Sequence, residues 1–272
     1  MKGVRASIAL IAILFVACGQ PSTDATDAAA EGDARTIRVV TSGGFTAAFD
    51  ILGPIFEQAT GIDIVTEYGS SMGGALNSIP TRLARGETMD VLIFNGAAFD
   101  NIAAGGYLRS ETRVNLARSQ VGMAVRAGAA VPDISTREAF IETLLAADSI
   151  GYSASVSGTY LSSELFPRLG IWDEIESKTQ RVVGERVASV VARGEAEIGF
   201  QAVSEIISID GIEFVGPIPS ELQQVSSFVA VIGVDADNPE GAARLIEFLS
   251  SEAAAAVIGP TGLAPVVLEE VR

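Results

Sequence analysis

The 272-residue chain contains no histidine, one cysteine (Cys18) and only two lysines, Lys2 and Lys178. Without histidine, a Ser-His-Asp triad, an imidazole metal site and an imidazole general base are all excluded. Without a cysteine after position 18, disulfides, thiolate metal ligands and thiol nucleophiles are excluded from the body of the chain. Neither a Walker lysine nor a Schiff-base lysine has a well-placed candidate. Basic residues are also scarce: 18 Lys and Arg stand against 34 Asp and Glu, a formal net charge of −16. Such a field repels nucleic acid and anionic membrane surfaces. Most of the usual catalytic inventory is missing, so no catalytic residue, no metal and no cofactor is expected, and the chain reads as a non-enzyme.

What is present begins with a leader. Lys2 and Arg5 precede an unbroken apolar run, residues 8–17, that ends at Cys18. As a helix this run spans about 15 Å, too little for a hydrocarbon core of about 30 Å, and its layout is that of a secretory signal. Phe15-Val16-Ala17-Cys18 followed by Gly19 resembles a bacterial lipobox, with Phe15 in place of the usual Leu. That resemblance implies that Cys18 is lipidated and becomes the mature N-terminus. Residues 1–18 are therefore read as a lipoprotein signal peptide and 19–36, rich in Ala, Asp and Thr, as a flexible tether. The expected location is periplasmic or cell-surface, with a lipid as the sole membrane contact. Removing the leader leaves 16 basic residues against 34 acidic ones, a net of −18.

The remaining chain is long enough for two lobes, each with its own core. Short β-branched runs alternate with longer amphipathic segments. Strands are expected at 37–41, 62–68, 90–94, 121–125, 149–152, 181–183, 197–201 and 225–234. Helices are expected at 46–60, with Pro54 kinking it or marking its restart, and at 73–85, 137–147, 159–169, 186–193, 204–207 and 239–258. Strand–helix alternation predicts an α/β fold of open, mostly parallel sheets with right-handed crossovers. Phe49, Ile55 and Phe56 read as a core stripe, and Trp172 as interhelical packing.

Three small-residue clusters fall where a strand turns into a helix: Thr41-Ser42-Gly43-Gly44, Gly69-Ser70-Ser71-Met72-Gly73-Gly74, and Ser153-Ala154-Ser155-Val156-Ser157-Gly158. In open α/β sheets, ligands sit beyond the carboxyl ends of the strands. Helix N-termini there suit an anion, glycine lets backbone approach it, and serine adds donors without bulk. Each cluster alone is better explained by helix capping and a tight turn. Spread over two lobes, they suggest a cleft that grips an oxyanion through neutral dipoles.

Residues 37–44, 61–74 with Arg82-Leu83-Ala84-Arg85-Gly86-Glu87 and Asp90-Val91, then Leu169-Gly170-Ile171-Trp172-Asp173, then 190–199, resemble the periplasmic molybdate-binding proteins of ABC importers. The similarity runs over nearly all of 37–265. It implies a type II periplasmic-binding-protein fold: two α/β lobes, two hinge crossovers (near 116–120 and 223–227), and closure over the ligand. Lobe 1 would comprise 37–117 plus 228–272, and lobe 2 would comprise 118–227. By the same resemblance the chain hands a small anion to a permease and its ATPase; a monomer is expected.

The family holds its anion by serine hydroxyls and backbone amides. Carried over, its positions fall on Gly44 with Ser42 and Gly43 beside it, on Ser70 and Ser71, and on Ser157 with Gly158 and Val187. The family's tyrosine falls on Gln201 or Ala202 and is absent, and a first-loop serine appears as glycine. These departures leave open another anion, including a small carboxylate. For a carboxylate, Arg186 is the best-placed clamp and Arg126 a weaker one, while Gln201 can replace the missing donor. A sensor using the same fold, an enzyme and a ferric-ion receptor are the other readings. The last would need a tyrosine pair that Tyr68, Tyr107, Tyr152 and Tyr160 do not form.

Overall fold

A computed structural model describes residues 35–266. The signal peptide, Cys18, nearly all of the tether and the last six residues of lobe 1 lie outside the described residues. Among the described residues, no helix is long and apolar enough to cross a membrane.

Among the described residues, eleven strands form two sheets. The first holds β1 (Thr36–Thr41), β2 (Asp63–Tyr68), β3 (Val91–Asn95), β4 (Leu108–Ser119), β10 (Ser226–Gly233) and β11 (Ala264–Pro265), in the order β11-β4-β10-β3-β1-β2. The second holds β5 (Val121–Arg126), β6 (Ile150–Ser153), β7 (Thr179–Val182), β8 (Ile198–Ala202) and β9 (Ile212–Pro217), in the order β7-β6-β8-β5-β9. Helices flank both sheets, giving the expected two-lobed α/β architecture. Each sheet is mixed rather than mostly parallel. β2-β1-β3 and β7-β6-β8 are parallel, whereas β10, β4, β11, β5 and β9 join by antiparallel pairing. The antiparallel strands include those that carry the chain between lobes. β4 runs into β5 with only Gln120 between them, and β10 brings the chain back. Gln223 ties the two crossings together. Its Oε1 accepts the Val121 amide at 3.0 Å, and its Nε2 donates to Val121 O at 2.8 Å and Ile218 O at 3.1 Å.

Successive side chains of a strand point to opposite faces, so a strand covered on both faces feeds two cores. In β3, Val91 and Ile93 join Phe45, Phe49, Leu52 and Phe56 on one face, while Leu92 and Phe94 join Ile79, Leu83 and Ile102 on the other. The second sheet repeats this, with Phe140, Leu144 and Phe166 on one side and Val187, Val190 and Val191 on the other. Each fully buried large side chain contributes roughly 1.5–3 kcal/mol, so both lobes have the means to hold their own shape. Ile55 departs from the expected stripe: it is 42 % exposed, while Phe49 and Phe56 are buried. Trp172 stacks on Phe166 with centroids 6.3 Å apart.

Several elements differ from expectation. The helix Gly43–Thr60 runs unbroken through Pro54. The helix expected from Gly73 starts only at Ile79. Ser78 caps it, Pro80 occupies its first turn, and Gly73 and Gly74, poor helix formers, stay in the preceding loop. The single helix expected over 239–258 is two, Pro239–Leu249 and Glu252–Ile258. Between them Ser250 Oγ bonds back to Ile246 O, and Ser251 Oγ accepts the Ala254 amide to start the next helix. Strands β4, β9 and β11 were not expected; β4 hides in a mixed polar pattern because much of it faces solvent.

Candidate functional site

The carboxyl ends of the parallel strands open on a cavity of about 390 Å³ between the two sheets. The first sheet contributes Ser42–Gly44 after β1, the loop 68–77 at and after the end of β2, Asn95 at the end of β3, and Ser119 at the end of β4. From the second lobe come Ser153–Ser157 after β6, 181–186 after β7, and Gln201, Ala202 and Glu205 at and after β8. Of the ten residues named from sequence, Ser42, Gly43, Gly44, Ser70, Ser71, Ser157, Arg186 and Gln201 line this cavity.

Two do not, for packing reasons. The Val187 amide is already spent, donating to Gln201 Oε1 at 2.7 Å, and its side chain is buried in the small core of the second lobe. Gly158 packs on the backbone of Ser153, so closely that a methyl group there would overlap the Ser153 carbonyl. It brings Ser157 into place and offers the cavity nothing itself. Arg126 also lies away, against Gly194.

The wall formed by the strand ends of the first sheet is rich in unused donors. Ser42 precedes the 18-residue helix Gly43–Thr60, yet its hydroxyl does not cap it. Ser42 Oγ and Ser119 Oγ are both buried, with residue exposures of 3 %, and have no hydrogen-bond partner. A buried orphan hydroxyl costs about 1–3 kcal/mol, so two of them on one cavity wall mark a place where a polar guest is expected. Ser71 Oγ accepts the Asn95 amide at 2.9 Å, which leaves its own O–H to donate. Asn95 Nδ2 in turn donates to Ser226 Oγ at 2.9 Å. Ser70 is turned into its own loop and donates to Met72 O at 2.8 Å. In the second lobe, Ser153 Oγ lies 2.7 Å from Ser155 Oγ and 3.0 Å from Ser157 Oγ, a linked trio of hydroxyls.

Charged groups, the expected Arg186 among them, join the neutral donors on the second-lobe wall. Arg181 is exposed at the rim and donates to Ala154 O at 3.3 Å; Arg186, half-buried, donates to Ser208 Oγ at 2.7 Å. Glu185 is exposed and paired with Arg193 at 2.9 Å. Glu205 sits on a single turn of helix, Val203–Ile206, that packs across the cleft on the helix Gly43–Thr60. Its carboxyl fills the space over Gly43, where a methyl group would overlap Oε1. Burial pushes this carboxyl above the usual carboxylate range, against the opposing pull of the Arg186 guanidinium and the Gln201 amide. Across the cavity the Tyr68 hydroxyl donates to Asp50 Oδ1 at 2.7 Å, a bond that pushes its pKa up to about 12. Among the described residues, no cluster of three or more His, Cys, Asp or Glu could hold a metal ion.

Sequence reading missed Ser119, Asn95, Arg181 and Glu205. Asn95 carried a signal, since it ends an expected strand at the cleft; Ser119 carried none, because the mixed polar pattern of β4 hides that strand. Glu205 carried none, because only the approach of the two lobes brings it over Gly43.

The chain and its fold have counterparts among known proteins. The model of the bacterial extracellular solute-binding protein family matches residues 37–264. The aconitate isomerase of a Pseudomonas species is 41 % identical over 231 residues, 85 % of this chain and 88 % of that protein. The periplasmic molybdate-binding protein of Azotobacter vinelandii superposes with a TM-score of 0.68 at 20 % identity, covering 86 % of this chain and all of that one. The sulfate-binding protein SubI of Mycobacterium tuberculosis superposes with a TM-score of 0.64 at 17 % identity, over 85 % and 87 % of the two chains. At such identities the two structures speak for the fold alone. The family places its members outside the cytoplasm, in the periplasm or at the cell surface. With the family model spanning both lobes, the chain belongs to the bacterial extracellular solute-binding proteins.

Proposed function

We propose that the chain is a receptor for a small unsaturated organic polycarboxylate of the aconitate class, taken up in the cleft between its lobes. The observation that carries this reading is the pairing of two guanidinium groups, Arg181 and Arg186, on one wall with the orphan hydroxyls of Ser42 and Ser119 on the other. A planar guanidinium fork matches the two oxygens of a carboxylate, and donors on opposing walls match a ligand with carboxylates at both ends. The cavity, about 390 Å³, lies within the range of about 300–1,000 Å³ typical of small organic ligands and is roomy for one tetrahedral oxyanion. The missing tyrosine at Gln201 and Ala202, and the relative named aconitate isomerase, support the same choice.

Binding uses both lobes, so the ligand favours their approach, and closure is the expected conformational response. The closed receptor then presents its ligand to an ABC permease as a monomer. Lobe 1 is 37–117 with 228–272 and lobe 2 is 118–227, and lipidation of Cys18 holds the chain at a membrane. Isothermal titration of the purified chain with cis-aconitate, trans-aconitate, citrate, molybdate and sulfate tests the reading. Heat of binding with the carboxylates alone is expected. Binding of molybdate or sulfate with no response to any carboxylate would overturn it in favour of a molybdate-like oxyanion.

A further inference from the structure

We propose that Glu205 is a proton carrier for carbon chemistry in the cleft, and that the chain isomerises its ligand as well as holding it. The inference rests on the reading above, that the ligand is an unsaturated polycarboxylate. The Glu205 carboxylate takes a proton from a methylene group that lies between a carboxylate and a carbon–carbon double bond. The C–H electron pair becomes a new double bond to the central carbon. The old π pair takes up the proton at the far carbon, and the Glu205 carboxylate is restored. Nothing is oxidised or reduced and no co-reactant enters. In aconitate this allylic shift moves the double bond, and the ligand conformation enforced by the walls sets whether it re-forms cis or trans.

The assignment follows from the titratable groups that face the cavity. Tyr68 is tied to Asp50 and stays protonated at neutral pH. Glu185 is exposed and paired with Arg193. Arg181 and Arg186 are hydrogen-bond donors and offer no acceptor for a proton. Glu205 remains: it is partly buried on the wall, supplied by one lobe and pressed against the first turn of the other lobe's long helix. The orphan hydroxyl of Ser42 lies beside that turn, so donors adjoin the place where negative charge would develop on the ligand. A route through addition of a thiolate and bond rotation is closed, because residues 35–266 contain no cysteine.

Few other charges act on Glu205. Arg186 faces it from the second lobe; the first turn of Gly43–Thr60 has no acidic residue. The helix Val187–Ala192 carries no charged residue, β8 contributes the neutral Gln201, and Arg126 of β5 points to Gly194. Burial therefore outweighs these pulls and raises the carboxyl above the usual carboxylate range, the direction that favours a proton carrier.

The test is proton NMR of cis- and trans-aconitate incubated with the full-length protein in D2O, alongside calorimetry. Deuterium uptake at the methylene and vinyl positions with interconversion of the isomers is expected, its rate rising with pH as a carboxyl ionises above the ordinary range. Glu205→Gln should keep binding and lose exchange by about 10²- to 10⁴-fold, the usual worth of a general base. Should Glu205→Gln fail to bind, Glu205→Asp decides: slowed exchange supports the assignment and unslowed exchange overturns it. Binding without deuterium uptake, or full-rate exchange in Glu205→Gln, overturns the proposal and leaves the receptor reading standing. Absence of binding by either isomer overturns both.

Discussion

Gln201 Oε1 accepts the backbone amide of Val187 at 2.7 Å, joining the end of β8 to the start of the neighbouring helix inside the second lobe. The bond removes from the cleft a donor that the position of Val187 seemed to offer. It also makes Gln201 a structural residue, 4 % exposed, with only its amide nitrogen left to act toward Glu205. Gln201→Leu keeps the bulk but strands the Val187 amide in a buried place. A stability loss of about 1–3 kcal/mol is expected, the cost of an unpaired buried donor. Urea unfolding followed by circular dichroism measures it; an unchanged midpoint would show that water replaces the glutamine.

Arg186 is anchored to Ser208 at 2.7 Å and lines the cavity, so its fork is held in place before any ligand arrives. Replacing it by glutamine should weaken carboxylate capture by about 1.5–3 kcal/mol, the range for a hydrogen bond to a charged group. Arg186→Lys keeps the charge but not the two-pronged geometry and should recover only part of that loss. Dissociation constants from titration calorimetry decide. Equal affinities for Lys and Arg would mean that the charge acts without the fork.

Much of the fold is legible because it rests on local pattern. Runs such as Val39-Val40 and Leu92-Ile93-Phe94 are apolar at every position, which only a strand covered on both faces requires. The cleft is legible for the same reason: Ser42, Ser71 and Ser157 each follow a strand, and strand ends meet at one edge of each sheet. What stays hidden depends on partners distant in sequence. β4 is masked by its solvent-facing side, so Ser119 was never seen as the end of a strand. The competition between Gln201 and a ligand for the Val187 amide requires knowing that β8 lies beside that helix. Glu205 enters the site only through the contact of its short helix with Gly43–Thr60. Composition excludes histidine and thiol chemistry from the body of the chain; it says nothing about a carboxyl whose environment is made by the approach of two lobes.

The Glu205 carboxyl has a raised pKa in the folded chain because burial disfavours its charged form. The folded state therefore binds the proton more tightly than the unfolded chain does. This favourable contribution is complete below the ordinary glutamic acid range and is lost as pH rises through the folded value. Glu205→Gln mimics the protonated form at every pH. Relative to the parent, it should be progressively more stable as the medium is taken from mildly acidic to neutral. Melting temperatures of the two proteins across that interval measure the trend. A constant difference would show that the carboxyl titrates as it does in water.

Ser42 and Ser119 separate stability from binding more sharply than any other pair in the cleft. Both hydroxyls are buried without a partner, so the empty protein gains nothing from them. Removing an unpaired polar atom relieves its desolvation cost, and alanine leaves a gap no larger than an oxygen. Ser42→Ala and Ser119→Ala should thus match or slightly exceed the melting temperature of the parent in the absence of ligand. With a polycarboxylate bound, each hydroxyl is expected to donate to it. Each variant then loses a charge-assisted bond of about 1.5–3 kcal/mol, at least a tenfold weaker dissociation constant. Paired thermal scans, without and with ligand, read both quantities in one experiment. A variant that is destabilised when empty and binds as well as the parent would mean that its hydroxyl serves the fold, and the wall it sits on would no longer mark the site.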